Sequence, residues 1–203
     1  KQIPSVHISA MCIEQTEYSK FSGSKLCGEN ALMASGANCW ILRASLVEGE
    51  GAFGWSWFKR TAQWPVPFVP ARRALISPIR VELLAKAVRA VLSMPLNDKL
   101  QKKRILEVTN GTNYTLEGYL RMLAGGISKP VITVPDALAR SVAWFCDICH
   151  VTPFSLGHYE ILKYDNCPKT NDLPALMAES VSSDHNSARK SAMCIDQKIE
   201  KYL

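Results

Sequence analysis

Apolar and polar positions alternate at the start of the chain, where Val6, Ile8 and Ala10 stand between Ser5, His7 and Ser9. A period of two marks a strand that presents one face to a core. From Glu17 to Met33 the spacing changes. Phe21, Leu26, Ala31 and Leu32 recur roughly as a helix repeats, and Ser35-Gly36 closes it. Cys39 to Leu42 is then an unbroken apolar run, short enough for a strand buried on both faces. Strand, helix and strand in this order predict a right-handed βαβ crossover.

The pattern continues in shorter pieces. GAFGWSWFKRTAQW predicts an amphipathic helix whose Phe53, Trp57 and Phe58 belong to a core rather than a binding surface. Trp64-Pro65-Val66-Pro67-Phe68 is a proline-punctuated loop. A strand leading into a helix is expected over ALISPIRVELLAKAVRAVL, and a strand over Arg104–Thr109. Thr115 is placed to cap a helix over Leu116–Ala124, and Val131–Val134 reads as a short strand before Pro135. Asp136–His150 predicts a helix burying Leu138, Val142, Phe145 and Cys149. The C-terminal stretch, rich in Ser, Asp and Lys, carries the least pattern, with a closing helix expected over Asp196–Leu203.

These residues resemble the second half of an extended, atypical short-chain dehydrogenase/reductase. In that family a serine ends one strand, a Tyr-x-x-x-Lys pair sits on the next helix, and an R-P-S-x-V-x-G-like turn follows the next strand. Ser9 stands at the serine, Lys25 at the lysine, and Arg43-Ala44-Ser45-Leu46-Val47-Glu48-Gly49 at the turn. Four residues before Lys25, at the tyrosine position, stands Phe21. The family's tyrosine hydroxyl is the general acid/base, and the lysine one turn away lowers its pKa and holds the cofactor ribose. Phenylalanine fills that space with no proton to give. Tyr18 does not restore the pair: it lies about 10 Å from Lys25 along a helix axis, and its partner four residues on is the uncharged Ser22. Farther on, Arg80-Val81-Glu82-Leu83-Leu84-Ala85 occupies the family's His-Val-x-Asp-Val-Ala pattern, with arginine for histidine and leucine for aspartate.

Within the family the likeness is greatest to the tyrosine-less accessory subunit type of respiratory complex I. Pro65-Val66-Pro67, Trp144-Phe145 and Thr152-Pro153-Phe154 resemble its P-x-P loop, aromatic helix and S/T-P-F-like turn. The resemblance runs over residues 4–178. It implies an α/β chain, the C-terminal part of a Rossmann-like doubly wound parallel sheet plus a smaller, mainly helical substrate-side subdomain. Residues 1–110 would form the sheet part, 111–178 the mixed subdomain, and 179–203 a polar tail.

For function the resemblance implies a non-catalytic subunit of a multi-subunit mitochondrial assembly, on the matrix side of the inner membrane, in which any NADP(H) is structural. No catalytic residue is expected; Ser9, Lys25, Arg43, Ala44, Ser45, Leu46 and Val47 are the expected cofactor residues. An active nucleotide-sugar epimerase or reductase, and a nucleotide-free assembly factor, are the alternatives. The family's glycine-rich phosphate turn belongs to a first half of four strands. No G-x-G-x-x-G occurs here, and Gly49, Gly51 and Gly54 have the wrong spacing. The phosphate end of a dinucleotide is therefore expected to be held by another segment or polypeptide. That neighbour would also cover the edge of the strand Val6–Ala10, without which the chain is expected to aggregate.

Composition narrows the picture further. A chain of 203 residues, 47% hydrophobic, can bury an ordinary globular core. It holds no run of eighteen apolar residues, hence no expected membrane-spanning helix, and Lys1-Gln2-Ile3-Pro4 shows no secretory signal. The net charge of +6 is concentrated: between Lys59 and Arg104, eleven Lys or Arg stand against Glu82 and Asp98. Such a run is by default a solvated face, and otherwise a surface apposed to acidic lipid or a docking protein. No RNA-binding motif accompanies it, so no nucleic acid is expected.

Seven cysteines at irregular spacings suit reduced thiols better than a disulfide framework. Cys146-Asp147-Ile148-Cys149-His150 matches the C-x-x-C-H pattern of c-type haem attachment. No Gly, Pro and Met pocket surrounds it, and two soft, apolar cysteines at a helix end explain it as well, so no haem is expected. Zinc would need two more ligands, and only Cys167 and His158 are near in sequence, so no metal is expected.

Overall fold

The computed structural model describes residues 3–16, 19–69, 74–93, 104–127, 129–149 and 156–178. In chain order these form β1 (Ser5–Ala10), α1 (Lys20–Ala34), β2 (Cys39–Ala44), β3 (Val47–Glu48), α2 (Phe53–Gln63), β4 (Phe68–Val69), β5 (Leu75–Ile76), β6 (Ile79–Arg80) and α3 (Val81–Ser93). There follow β7 (Ile105–Val108), β8 (Tyr114–Thr115), α4 (Leu116–Leu123), β9 (Ile132–Thr133), α5 (Asp136–Cys149) and α6 (Leu156–Ile161). One more helical stretch covers 173–178.

The expected βαβ unit is present. β1 pairs parallel with β2, Ser5 opposite Cys39 and Ala10 opposite Ala44, and β2 pairs parallel with β7. β2 is the central strand of the three, and all six of its residues are buried. That explains its unbroken apolar run: both faces of a central parallel strand are covered by helices.

On one face α3 packs Leu84, Ala87, Ala90 and Val91 against Trp40, Leu42, Leu106 and Val108, joined by Leu173 and Leu176. On the other lies α1, which begins at Lys20 rather than Glu17. Ser19 caps it, its hydroxyl accepting from the Ser22 N–H at 3.1 Å. Gly36 follows with φ +65°, a conformation that suits glycine at a helix end.

The face of α1 differs from the expected one. Its buried residues are Ser22 and Glu29, while Ala31 is exposed. The cause is Arg43 on β2, which is 9% exposed and needs a counter-charge where it lies. An unpaired buried guanidinium is far less favourable than the few apolar contacts a rotated helix would gain.

A second core joins Phe58 and Ala62 of α2, Val69 and Ile76 to Leu116, Tyr119 and Leu120 of α4. It draws from both sides of residue 110, and Leu173 and Leu176 return to the sheet core. Thr115 caps α4 as expected, its hydroxyl accepting from the Gly118 N–H at 3.0 Å.

A third, small core is made by Ala139, Ala143 and Tyr159 with Val134. Here a second expectation fails. Leu138, Val142 and Phe145 are 56%, 50% and 57% exposed, and α5 turns its alanines inward instead. Small residues let α5 approach Tyr159 of α6 closely, and Tyr159 donates a hydrogen bond to the Asp136 carboxylate at the start of α5. The side chain of Cys149, together with Tyr18, His150, Thr152–Phe154 and 179–203, lies outside the described residues. No helix among the described residues is long and apolar enough to cross a membrane.

Candidate functional site

A cavity of about 290 Å³ opens beyond the carboxyl ends of β1 and β2. In open α/β sheets that is where ligands bind, because the loops leaving parallel strands diverge there. Its lining comes from four places: Ala10 and Phe21 around the β1–α1 connection, Ser45, Leu46 and Val47 after β2, Ala52, Phe53, Gly54, Trp57 and Phe58 of the α2 region, and Ile76, Ile161, Leu162 and Asn166.

Each wall is fixed by identifiable contacts. The turn after β2 is held where the Leu46 carbonyl accepts from the Ile79 N–H at 2.9 Å and the Ser45 hydroxyl from the Ser77 N–H at 3.3 Å. Gly49 ends the turn against α3, where an added Cβ would stand 2.7 Å from a methyl of Val81. Glu48 accepts from the buried Tyr119 hydroxyl at 2.8 Å. Burial, with the nearby carboxylate, pushes that phenol's pKa well above its ordinary value. On α2, Trp57 and Phe58 meet edge to face with ring centroids 4.9 Å apart.

The segment carrying Asn166 is pinned from two sides. Asn166 bridges to Ile76, its N–H donating to the Leu75 carbonyl at 2.7 Å. Cys12, at φ +59°, donates from Sγ to the Asp165 carbonyl at 2.8 Å. Burial, helped by Cys167, pushes the Cys12 thiol up to about 11, so at neutral pH it is a hydrogen-bond donor and not a nucleophile.

Of the expected cofactor residues, Ser45, Leu46 and Val47 line this cavity, as does Phe21 from the family's tyrosine position. Ser9 is the neighbour of Ala10; its hydroxyl is buried with no hydrogen-bond partner among the described residues. Lys25 is half-buried, its ammonium 5.4 Å from the centroid of the Phe21 ring. Arg43 and Ala44 lie elsewhere. Ala44 is in the sheet core under α3. The Arg43 guanidinium donates to Glu29 through Nε at 3.0 Å and Nη2 at 2.6 Å, and to Glu14 through Nη1 at 2.8 Å. The Glu29 hydrogen bonds outweigh desolvation and drive its pKa further up, so the group is a fixed cation in a structural triad.

Ile76, Ile161, Leu162 and Asn166 are not legible as site residues in the sequence. The fold brings them in from more than a hundred residues beyond Phe21 in the case of Asn166, with no local motif to announce them. Phe53, Trp57 and Phe58, expected as core, are cavity wall as well.

Among the described residues of the lining none is ionisable near neutral pH. Beside the wall stand the buried Ser9 hydroxyl, without a partner among the described residues, and Lys25 against the Phe21 ring, while the Ser45–Val47 turn forms part of the wall itself. Among the described residues no cluster of three His, Cys, Asp or Glu could hold a metal ion.

The fold and this edge site define a Rossmann-like α/β chain that resembles the extended short-chain dehydrogenase/reductases. Triphenylmethane reductase from Citrobacter sp. has a similar fold, with TM-score 0.55 and 15% identity over 84% of this chain and 58% of that one. The UDP-glucose 4-epimerase of Thermus thermophilus, in complex with NAD, aligns with TM-score 0.47 and 19% identity over 65% of this chain and 51% of that one. In sequence, the chain is 26% identical over 127 residues to the mitochondrial NADH dehydrogenase (ubiquinone) 1 alpha subcomplex subunit 9 of Dictyostelium discoideum. That match covers 61% of this chain, which spans only 34% of the relative's length. No protein-family model matches the chain.

Proposed function

We propose that this chain is a catalytically silent, short-chain-dehydrogenase-like accessory subunit of the mitochondrial NADH dehydrogenase assembly, respiratory complex I, at the matrix side of the inner membrane. The observation that carries the reading is Phe21. It lines the cavity where proton transfer needs a hydroxyl, and Lys25 rests against its ring. The likeness to the Dictyostelium subunit supports membership of an assembly. Ser9, Lys25 and the Ser45–Val47 turn would hold the nicotinamide and ribose end of NADP(H), with Arg43 and Ala44 serving only to carry that turn. The hydride chemistry such a cofactor supplies has no proton-transfer partner here, so its role is structural. Exposed Lys59, Arg60, Arg80 and Lys86 of the basic stretch offer a surface to an acidic subunit or lipid headgroups.

Native electrophoresis of mitochondria from cells carrying the tagged full-length protein tests this reading. The tag is expected to migrate with NADH dehydrogenase activity, and the isolated assembly to show no epimerisation of UDP-glucose attributable to this chain. Migration apart from that activity, or turnover abolished by Lys25→Met, would overturn it.

A further inference from the structure

We infer that Cys12 and Cys167 are the two halves of a thiol–disulfide lock, closed by a small disulfide of the glutathione class, whether or not a cofactor is bound. The lock ties the turn after β1 to the segment that follows α6. Cys12 stands in that turn between Met11 and Ile13, which are 2% and 0% exposed and anchor it on both sides. Its φ of +59° is a left-handed conformation that a β-carbon disfavours. Such backbone persists only where its surroundings enforce it, and it clusters at working positions. Here it accompanies a contact across the fold: Cys12 Sγ donates to the Asp165 carbonyl at 2.8 Å.

The opposing segment is fixed on its own account. Asn166 donates its N–H to the Leu75 carbonyl at 2.7 Å and accepts from the Ser77 N–H at 3.2 Å. The Asp165 carboxylate accepts from the Leu75 N–H at 2.9 Å, and the Lys169 N–H donates to the Glu107 carboxylate at 2.7 Å. Cys167 lies between these anchors. Two residues of backbone span at most about 7 Å, so the Cys12 sulfur, resting on the Asp165 carbonyl, stands within side-chain reach of Cys167. Both thiols are half-buried, open enough for a small disulfide to meet them.

The chemistry balances with one oxidant. Cys167 attacks first, because the Cys12 proton is engaged by the Asp165 carbonyl. Its thiolate displaces one thiol from the small disulfide and forms a mixed disulfide. The Cys12 thiolate then attacks the Cys167 sulfur and releases the second thiol. The two protons lost by the cysteines end on the two released thiols, and the small disulfide takes the two electrons. The charges around the pair set the pace. Burial, then Cys167, Glu107 and Asp165, against Arg43, push the Cys12 thiol up to about 11, and burial, then Asp165, raises Cys167. Closure is therefore slow at neutral pH. A thiol of raised pKa is also a poor leaving group, so the closed lock reopens slowly.

Peptide mapping of the full-length protein after incubation with oxidised glutathione tests this. A peptide pair joined through Cys12 and Cys167 is expected, cleaved by dithiothreitol, while Cys27, exposed on α1, should carry only a single glutathione. The rate of linkage should rise about tenfold per pH unit between pH 7 and 9, as the thiolate fraction does below a raised pKa. The oxidised protein should unfold at a higher urea concentration, since the link closes a long loop in the unfolded chain. Cys12→Ser and Cys167→Ser should each abolish both the link and the shift. Recovery of Cys12 and Cys167 unlinked when Cys27 is fully modified would overturn the inference without need of any variant. So would their pairing with other cysteines, or a link that leaves the urea midpoint unchanged.

Discussion

α3 covers one face of the sheet with Leu84, Ala87, Ala90 and Val91, while α1 covers the other with Ser22 and Glu29 beneath a guanidinium. The two helices have similar lengths and flank the same strands. Their difference shows two ways of fixing a helix. Apolar packing accepts many side chains of the right size and tolerates some sliding. A buried ion triad accepts one register: Glu29 must stand opposite Arg43, and that fixes Lys25 and Phe21 one and two turns earlier on the same helix. The side that carries the site is therefore the one held by directional contacts.

Glu29→Ala should break this comparison most severely. It would leave Arg43, with a side chain 10% exposed, facing only the mostly exposed Glu14. Removing one partner of a buried pair costs about 3–5 kcal/mol, read as a lower urea midpoint with an unchanged slope. The pair replacement Glu29→Leu with Arg43→Met should recover most of that loss, since well-packed apolar groups often equal a buried pair. Stability recovered with the site's register preserved would mean that α1 needs only filled volume. A loss under about 1 kcal/mol for Glu29→Ala would show that the triad is solvated, and the contrast with α3 would vanish.

Leu84→Ala probes the other face. Leu84 is 8% exposed in the sheet core, and its truncation should cost about 2–3 kcal/mol by lost transfer energy and a residual cavity. The urea midpoint measures this, and a loss under about 1 kcal/mol would mean that α3 is not held by its apolar packing.

What was legible in the sequence divides along the same line. β2, β7 and α3 follow from an unbroken apolar run and a helical stripe, because apolar burial repeats with the geometry of the element; alternation marked β1 as a strand but not its buried side, since Ile8 is 39% exposed and Ser9 is buried. The cap at Thr115 was legible for the same local reason. The face of α1 was not, since Leu26, Ala31 and Leu32 suggest one side and Glu29 is drawn to another by an arginine fourteen residues away. The face of α5 misled in the opposite sense: its large residues point outward, and two alanines make the contact with Tyr159. Of the site, the Phe21 and Ser45–Val47 parts were carried by a motif, whereas Asn166 is brought to the cavity by its bridge to Ile76 and by the bond from Cys12 to Asp165, pairings that no local pattern encodes.

The smallest expected effect sharpens the contrast between a buried polar network and an exposed one. Where α5 meets α6, Tyr159 donates to Asp136, with Lys163 3.3 Å from the same carboxylate and Arg140 nearby. The hydrogen bond from Tyr159, followed by Lys163, holds the Asp136 carboxyl below its ordinary value of 3.8. Its folded-state pKa is depressed, so its contribution is complete above about pH 4 and is lost as the pH falls through the lowered pKa. Burial, then Asp136, raises the Tyr159 phenol above its ordinary value of 10, so that group's contribution is present below about pH 10 and is lost on the alkaline side. The α5–α6 contact should hold steadily between these limits. Asp136 is solvent-exposed, so Tyr159→Phe should shift melting only slightly at pH 7, with the difference from the unmodified protein shrinking toward pH 3. Amide exchange over 136–149 as a function of pH measures this directly. A difference that grows as the pH falls would mean that the hydrogen bond does not favour the carboxylate, and that α5 is held by Ala139 and Ala143 alone.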